Sequence, residues 1–283
     1  MRMSLALDGS FKTHEKVNKM RTSTPFAYAL SISAIFALLA GCSGGSNAGS
    51  SSGFTPSLAS ATSARPLIQQ PVCPIVKGDV PLASAASFAV LGGSTVTSTG
   101  LTILDGNLGV SPGTSITGFG PGVVKHGQIY AGGSVPGQAQ ADLAIGYNYA
   151  AGLQNPTAVP PEIGGMTIEP GIYNAATSLG IGGTLTLDGQ SKPNSIFVFQ
   201  VPSTLTAAVL SRVKLINKAN ACNVFWQVGS SATLNTGAKF RGTIMAADSI
   251  SVGSGVVVRG RLLAETAGIT LIDDRDFVFY TKR

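Results

Sequence analysis

The tightest group of ionisable residues in the chain is Asp273-Asp274-Arg275-Asp276. Three carboxylates so close together could hold a hard cation through oxygen. In a fold of stacked repeats the same run would instead be a charged cap that stops end-to-end association, which is the preferred reading. Beyond residue 41 a single histidine remains, His126, and Lys125-His126 reads as an exposed turn. No metal-ligand spacing and no nucleophile elbow occur in the sequence. Hydrolysis or elimination on a sugar polymer needs paired carboxylates or bases gathered in a cleft, whereas the acids here are spread along the chain. No enzymatic activity, metal or cofactor is therefore expected.

The group the sequence does repeat is the hydroxyl. From Val198 to Phe277 the segments VFQVPSTLTAAVLSRVKLIN, VFWQVGSSATLNTGAKFRG, TIMAADSISVGSGVVVRG and RLLAETAGITLIDDRDF return to one register about every 18 to 20 residues. A period of that length marks a solenoid, whose units bury their apolar sides only by stacking. The middle of each unit alternates hydroxyl and aliphatic residues, as in Ser231-Ala232-Thr233-Leu234, Ser249-Ile250-Ser251-Val252 and Gly268-Ile269-Thr270-Leu271. Such alternation is a half-buried strand with the aliphatic set inward.

Stacked coils would align the outward residues in two columns. One is Thr184, Thr204, Ser231, Ser249 and Gly268, and the other is Thr186, Thr206, Thr233, Ser251 and Thr270. Thr95 and Ser115 extend the first column, and Thr97 and Thr117 the second. The spacing would be roughly 4.8 Å between coils and roughly 6.7 Å within a strand. Thr and Ser are ordinary strand-surface residues. The absence of any Lys, Arg, Asp or Glu from both columns is not ordinary for a solvated face.

Gly-rich turns (36 glycines) and only 11% charged residues fit an all-β architecture dominated by short strands. Residues 83–119 read as further coils. One stretch departs from the β pattern: about 137–152, where Ala139, Leu143, Gly146 and Ala150 share a helical face. Gly152 suits the helix end. Small residues on that face would let the helix lie close along a sheet. Residues 155–170 form a Pro-containing connection.

Residues 1–41 read as a secretory leader, with the true start possibly Met20: Arg21, an apolar run from Phe26 to Leu39, then Leu39-Ala40-Gly41-Cys42. The apolar run is short for a membrane span. The tetrapeptide resembles the bacterial lipoprotein box, which implies lipidation at Cys42, export, and anchoring to a bacterial outer membrane or cell surface through that lipid alone. Residues 42–71 have the Ser/Gly-rich composition of a disordered tether. Residues 72–283 form the solenoid domain. Cys73 and Cys222 are the remaining cysteines and in an exported protein suggest one disulfide. Removing residues 1–41 leaves 14 basic and 11 acidic residues, a net +3. With no basic run and no basic–aromatic interleaving, nucleic acid is not an expected partner.

The stretches SFAVLGGSTVTSTGLTILDGNLGVSPGTSITGF, GQAQADLAIGYNYAAG, GGMTIEPGIY, SIFVFQVPSTLT and ACNVFWQVGSSATLNTGAKFRGTIMA resemble the ice-binding-like family of microbial secreted proteins, over about residues 82–279. The resemblance implies a right-handed discontinuous parallel β-helix of triangular cross-section, with one long α-helix alongside and N- and C-terminal coils interleaved. Gly118 to Gly137 is too short for the capping subdomain of some members. The resemblance also implies adsorption to the ice crystal surface through the Thr/Ser face; the protein is expected to be a monomer. The family pattern Thr-(Ala/Gly)-x-(Thr/Asn) is matched by Thr99-Gly100-Leu101-Thr102. Thr236-Gly237-Ala238-Lys239 and Ser254-Gly255-Val256-Val257 depart from it. The alternative is a cell-surface adhesin or carbohydrate- or matrix-binding module on the same fold. Sugar faces usually offer aromatic platforms, and Trp226 has no evident aromatic partner column in the sequence.

Overall fold

The computed structural model describes residues 79–273, together with the backbones of the short strands Val72–Cys73, Asp276–Val278 and Thr281–Lys282. The leader, the tether and Cys42 lie outside the described residues. Successive coils each lay down strands on three faces, paired in parallel with the equivalent strands of the next coil. The result is a triangular β-solenoid, right-handed as parallel crossovers are.

The first face holds Gly171–Ala175, Phe197–Val201, Val224–Val228 and the second halves of Lys239–Ala246 and Val257–Ala264, then Phe88–Gly92, Asn107–Val110 and Ile129–Ala131. The second is a separate seven-stranded sheet in the order Leu179–Ile181, Leu205–Ala207, Ala232–Leu234, Ile250–Val252, Ile269–Ile272, Thr95–Thr99 and Ser115–Thr117. The third runs from Thr184–Asp188 through Arg212–Ile216, the first halves of the two long strands, Asp276–Val278 and Ile103–Asp105 to Val123–Lys125.

Both orders show how the chain is discontinuous. The N-terminal coils do not alternate with the C-terminal ones. They stack as a block on the C-terminal end, with Val90 opposite Leu262 and Val96 opposite Ile269. The acidic run is accordingly no end cap. Asp276–Val278 pairs with Val257–Ala264 on one side and Ile103–Asp105 on the other, in the middle of the stack, and Asp273 lies against the turn at Gly100. Local periodicity reports that coils stack but not which distant coil follows the last one.

Two eight-residue strands, Lys239–Ala246 and Val257–Ala264, turn the corner between the third and first faces at Gly242 and Gly260, which pair in register. Gly242 has φ 106°, and a Cβ added to Gly260 would lie 1.9 Å from the carbonyl oxygen of Gly242. The backbones approach too closely there for any side chain.

The interior is filled by the inward set of all three faces, among them Leu205, Leu234, Ile250, Leu271, Val96, Leu185, Val258 and Ile244. An aromatic column runs through it. Tyr173 stacks on Phe199 (5.4 Å), Phe199 on Trp226 (4.1 Å), and Trp226 tilts against Phe240 (5.2 Å). Trp226 thus does have an aromatic column, but an internal one. It is fully buried, with its Nε1–H donated to the carbonyl of Arg241 at 3.0 Å.

The helix spans Ser134–Ala151, one turn earlier at its start than the pattern predicts, with Pro136 in the first turn, where its missing N–H costs nothing. Ala139, Leu143, Gly146 and Ala150 are buried, as expected, and so is Pro136. Ala139, Leu143 and Ala150 join a second apolar layer with Val198, Phe225, Met245, Leu263 and Leu91, the outer residues of the first face. Gln200 fixes the helix end by donating Nε2–H to the carbonyls of Ala150, Ala151 and Leu153 at 2.9, 3.3 and 3.0 Å. Beside the helix, buried Arg261 ties the N-terminal block to the C-terminal coils. It donates to the carbonyl of Ala86 (3.1 Å) and to Thr243 Oγ1 (3.2 Å), and burial lowers its pKa to about 10. It remains charged at neutral pH.

Candidate functional site

The first face is covered by the helix, so outward side chains remain available on the other two. On the second face, Thr206, Thr233, Ser251, Thr270, Thr97 and Thr117 occupy successive strands in register. One residue pair earlier along each strand stand Thr204, Ser231, Ser249, Gly268, Thr95 and Ser115. Eleven of the thirteen predicted hydroxyl positions therefore form one two-column lattice. The alternation that builds it is local: Leu205, Ala232, Ile250, Ile269 and Val96 point into the core between the two columns.

The remaining two positions are elsewhere. Thr184 and Thr186 lie on the third face, opposite Arg212 and Lys214. Their hydroxyl–aliphatic–hydroxyl pattern is the same, and period-two alternation cannot distinguish one outward face from another. In that first coil the lattice is continued by Ser178 and Gly180, with Gly180 opposite Thr206. Ser178 was not legible because its neighbours Leu179-Gly180 break the hydroxyl spacing.

Hydroxyls in neighbouring coils fix one another. Thr204 donates to Ser178 at 2.9 Å, Ser231 and Ser249 Oγ are 3.0 Å apart, and Thr117 donates to Thr97 at 3.2 Å. The gap at Gly268 is filled by its neighbour: a Cβ there would lie 2.5 Å from Thr95 Oγ1, so that the Thr95 hydroxyl leans over the glycine. Beyond the second column, Ile272 and Thr99 face each other in register and are exposed, extending the lattice at one corner. Thr102, the last residue of the Thr99-Gly100-Leu101-Thr102 match, is fully buried and hydrogen-bonded to buried Ser98 at 2.9 Å. It belongs to the core and not to a surface. Neither column contains an ionisable side chain.

At the edge of the lattice, exposed Asp248 accepts from Ser230 at 3.0 Å and from Thr266 at 3.4 Å. At its far end Glu162 bridges to Gly180, and its carboxylate accepts the N–H groups of Gly164 and Gly182 at 2.6 and 2.7 Å. Charge is thus held at the rim. Among the described residues no group of three or more His, Cys, Asp or Glu is placed to hold a metal ion. His126 sits in a left-handed turn, with Nδ1 2.9 Å from Asp105 Oδ1. Cys222 is buried and disulfide-bonded, while the side chain of Cys73 lies outside the described residues.

The sequence is similar over residues 90–275 to the model of the ice-binding-like family. It is 46% identical over 192 residues to an ice-binding protein of Nostoc sp., covering 67% of this chain and 71% of that one. It is 34% identical over 222 residues to ice-binding protein 1 of Shewanella frigidimarina, covering 67% of this chain but only 25% of the relative. Among solved structures, the fold matches an ice-binding protein from an Antarctic biological consortium at a TM-score of 0.68 and 39% identity, over 72% of this chain and 93% of that one. It matches the ice-binding protein of the ascomycete Antarctomyces psychrotrophicus at 0.68 and 35%, over 71% and 98%. With its three-faced parallel solenoid, its flanking helix and these likenesses, the chain belongs to the ice-binding-like family.

Proposed function

We propose that the protein adsorbs to ice through the second face, and that Thr95, Thr97, Ser115, Thr117, Thr204, Thr206, Ser231, Thr233, Ser249, Ser251 and Thr270 carry the contact. The observation that carries this reading is the charge-free, in-register lattice across six consecutive strands. Hydroxyls at repeating spacings anchor water molecules in a repeating pattern, and the threonine methyls hold neighbouring waters between them. Because the strands are locked by their ladders, and Thr204, Ser231 with Ser249, and Thr117 with Thr97 are held by hydroxyl hydrogen bonds, little ordering entropy is spent on binding. An adsorbed molecule pins the advancing crystal front and forces it to curve, which slows growth.

The likeness to proteins named for ice binding supports the reading. The carbohydrate-module alternative is weakened, since Trp226 is buried within the core and offers no platform. Lipidation at Cys42 and export would attach the domain to a cell surface by residues 42–71, so that the whole cell gains contact with ice. Purified protein exposed to a slowly growing ice hemisphere should be enriched in the ice and should facet single crystals. Exclusion from the ice by a protein with an intact β-rich spectrum would refute the proposal. Anchoring is tested separately, by incorporation of labelled fatty acid that Cys42→Ser abolishes.

A further inference from the structure

The third face differs in kind from the second. Of the nine Lys and Arg residues between 79 and 273, six project from its strands: Lys125, Arg212, Lys214, Lys239, Arg241 and Arg259. Five of these are contiguous on three successive strands. Arg212 stands in register with Lys239, and Arg241 with Arg259. Lys214 lies two residues along from Arg212, on the same side of its strand. Like charges directly opposite on neighbouring strands repel and destabilise a sheet. A face needing charge only for solubility would alternate its signs, as natural surfaces do. Arg212, Lys214, Lys239 and Arg259 are exposed, and no ion pair is made by any of the four among the described residues. The array is also narrow. It is two side chains wide along the strands and three strands long, ending along the stack against Thr184 and Thr186 at one end and against the strand Asp276–Val278, with Asp105 beyond it, at the other.

We propose that this face binds a linear acidic polysaccharide, a polymer carrying a carboxylate or sulfate on successive sugars. A strip of cations about 4.8 Å apart along the stack matches an extended polyanion lying across the coils. It suits one polymer strand better than the two-dimensional charge of a lipid surface. No aromatic side chain on these strands among the described residues offers the stacking that single-stranded nucleic acid binding uses. Because the basic and hydroxyl faces are different sides of the triangle, one molecule can hold a polyanionic matrix and its other ligand together. The sequence hides the site, because its cations come from three coils and never form a run.

The test is retention of the purified protein on immobilised polygalacturonate. Binding is expected at about 50 mM salt. With four contacts it should weaken about fiftyfold by about 200 mM, the dependence expected for single-stranded polyanions. Lys214→Glu with Arg259→Glu should weaken binding at least about tenfold, while ice enrichment stays unchanged and the melting temperature does not fall, since the reversal relieves the repulsion between Arg241 and Arg259. If the charge reversals misfold, the double alanine variant replaces them. Absence of retention at low salt, or retention insensitive to both variants, overturns the proposal. So does equal or stronger binding to vesicles rich in phosphatidylglycerol or to duplex DNA, which would reassign the face to lipid or nucleic-acid phosphate. Loss of ice enrichment alone does not bear on it.

Discussion

Placing Thr270 inside the hydroxyl lattice, and Thr186 outside it, allows the face assignment to be tested with a matched pair of substitutions. Both residues are strand threonines at outward positions, and tyrosine has comparable strand preference. Thr270→Tyr replaces a short side chain with one that projects roughly 4 Å further, close to the strand spacing of about 4.8 Å. Its neighbours in register are Ser251 and Thr97. A ring lying over either of them covers two of the six hydroxyl rows, and one standing upright interrupts the row at the middle of the lattice; either way, water ordered on the remaining rows is split into two short patches. Crystal-front pinning by Thr270→Tyr, read as thermal hysteresis, should therefore fall to less than about half, and partition into an ice hemisphere should be lost. Stability should change by no more than about 0.5 kcal/mol, as for other surface substitutions. Thr186→Tyr faces Lys214 and Thr167 on the basic side and should leave both ice readouts intact. If Thr186→Tyr impairs adsorption while Thr270→Tyr does not, the lattice described here is not the contact surface.

Three further outcomes concern the scaffold. Gly260→Ala brings a Cβ to 1.9 Å from the Gly242 carbonyl at φ 152°; no rotamer relieves this, and chemical denaturation should show a loss of at least about 1–3 kcal/mol. Cys222→Ser should lower stability by about 2–5 kcal/mol, and the same loss in Cys73→Ser, without a further loss in the double variant, would identify Cys73 as the partner. Glu265 is half-buried, and burial raises its pKa above the ordinary 4.5. The folded state then holds the proton more tightly than the unfolded one, so stability falls as pH rises from the unfolded value through the folded one. Glu265→Gln should accordingly melt slightly higher than the parent at pH 7, with the difference vanishing well below pH 4.5.

The solenoid and the helix were legible because each rests on a short-range period. Ala232 and Leu234, or Ala139 and Leu143, announce their own faces. What the sequence could not convey was phase. Thr184-Leu185-Thr186 and Thr204-Leu205-Thr206 are indistinguishable as strings, yet the first lies one corner further round the coil, beside Arg212 and Lys214. The longer first unit gives no marker of where its corner falls. The block stacking was hidden for a related reason. Nothing near Val90 or Val96 specifies Leu262 and Ile269 as neighbours, and only the completed apolar cross-section selects them. Gly268 shows the opposite case. It looks like a defect in a column, and the Thr95 hydroxyl occupies the space that a side chain there would take.

The junction between Val90 and Leu262 also bears on biogenesis. Ribosomal synthesis delivers Phe88–Gly92 long before its partner strand, a delay of roughly 10–30 s at ordinary elongation rates. Throughout that interval the N-terminal block lacks the surface it must cover and presents an open parallel edge. Folding cannot finish co-translationally from the front; it waits for the final coil, and with it for a contact of very high sequence separation. For a chain that a leader would thread across a membrane, this ordering is an advantage. A polypeptide so threaded would stay slack enough to translocate and would lock only once its last coil had arrived on the far side.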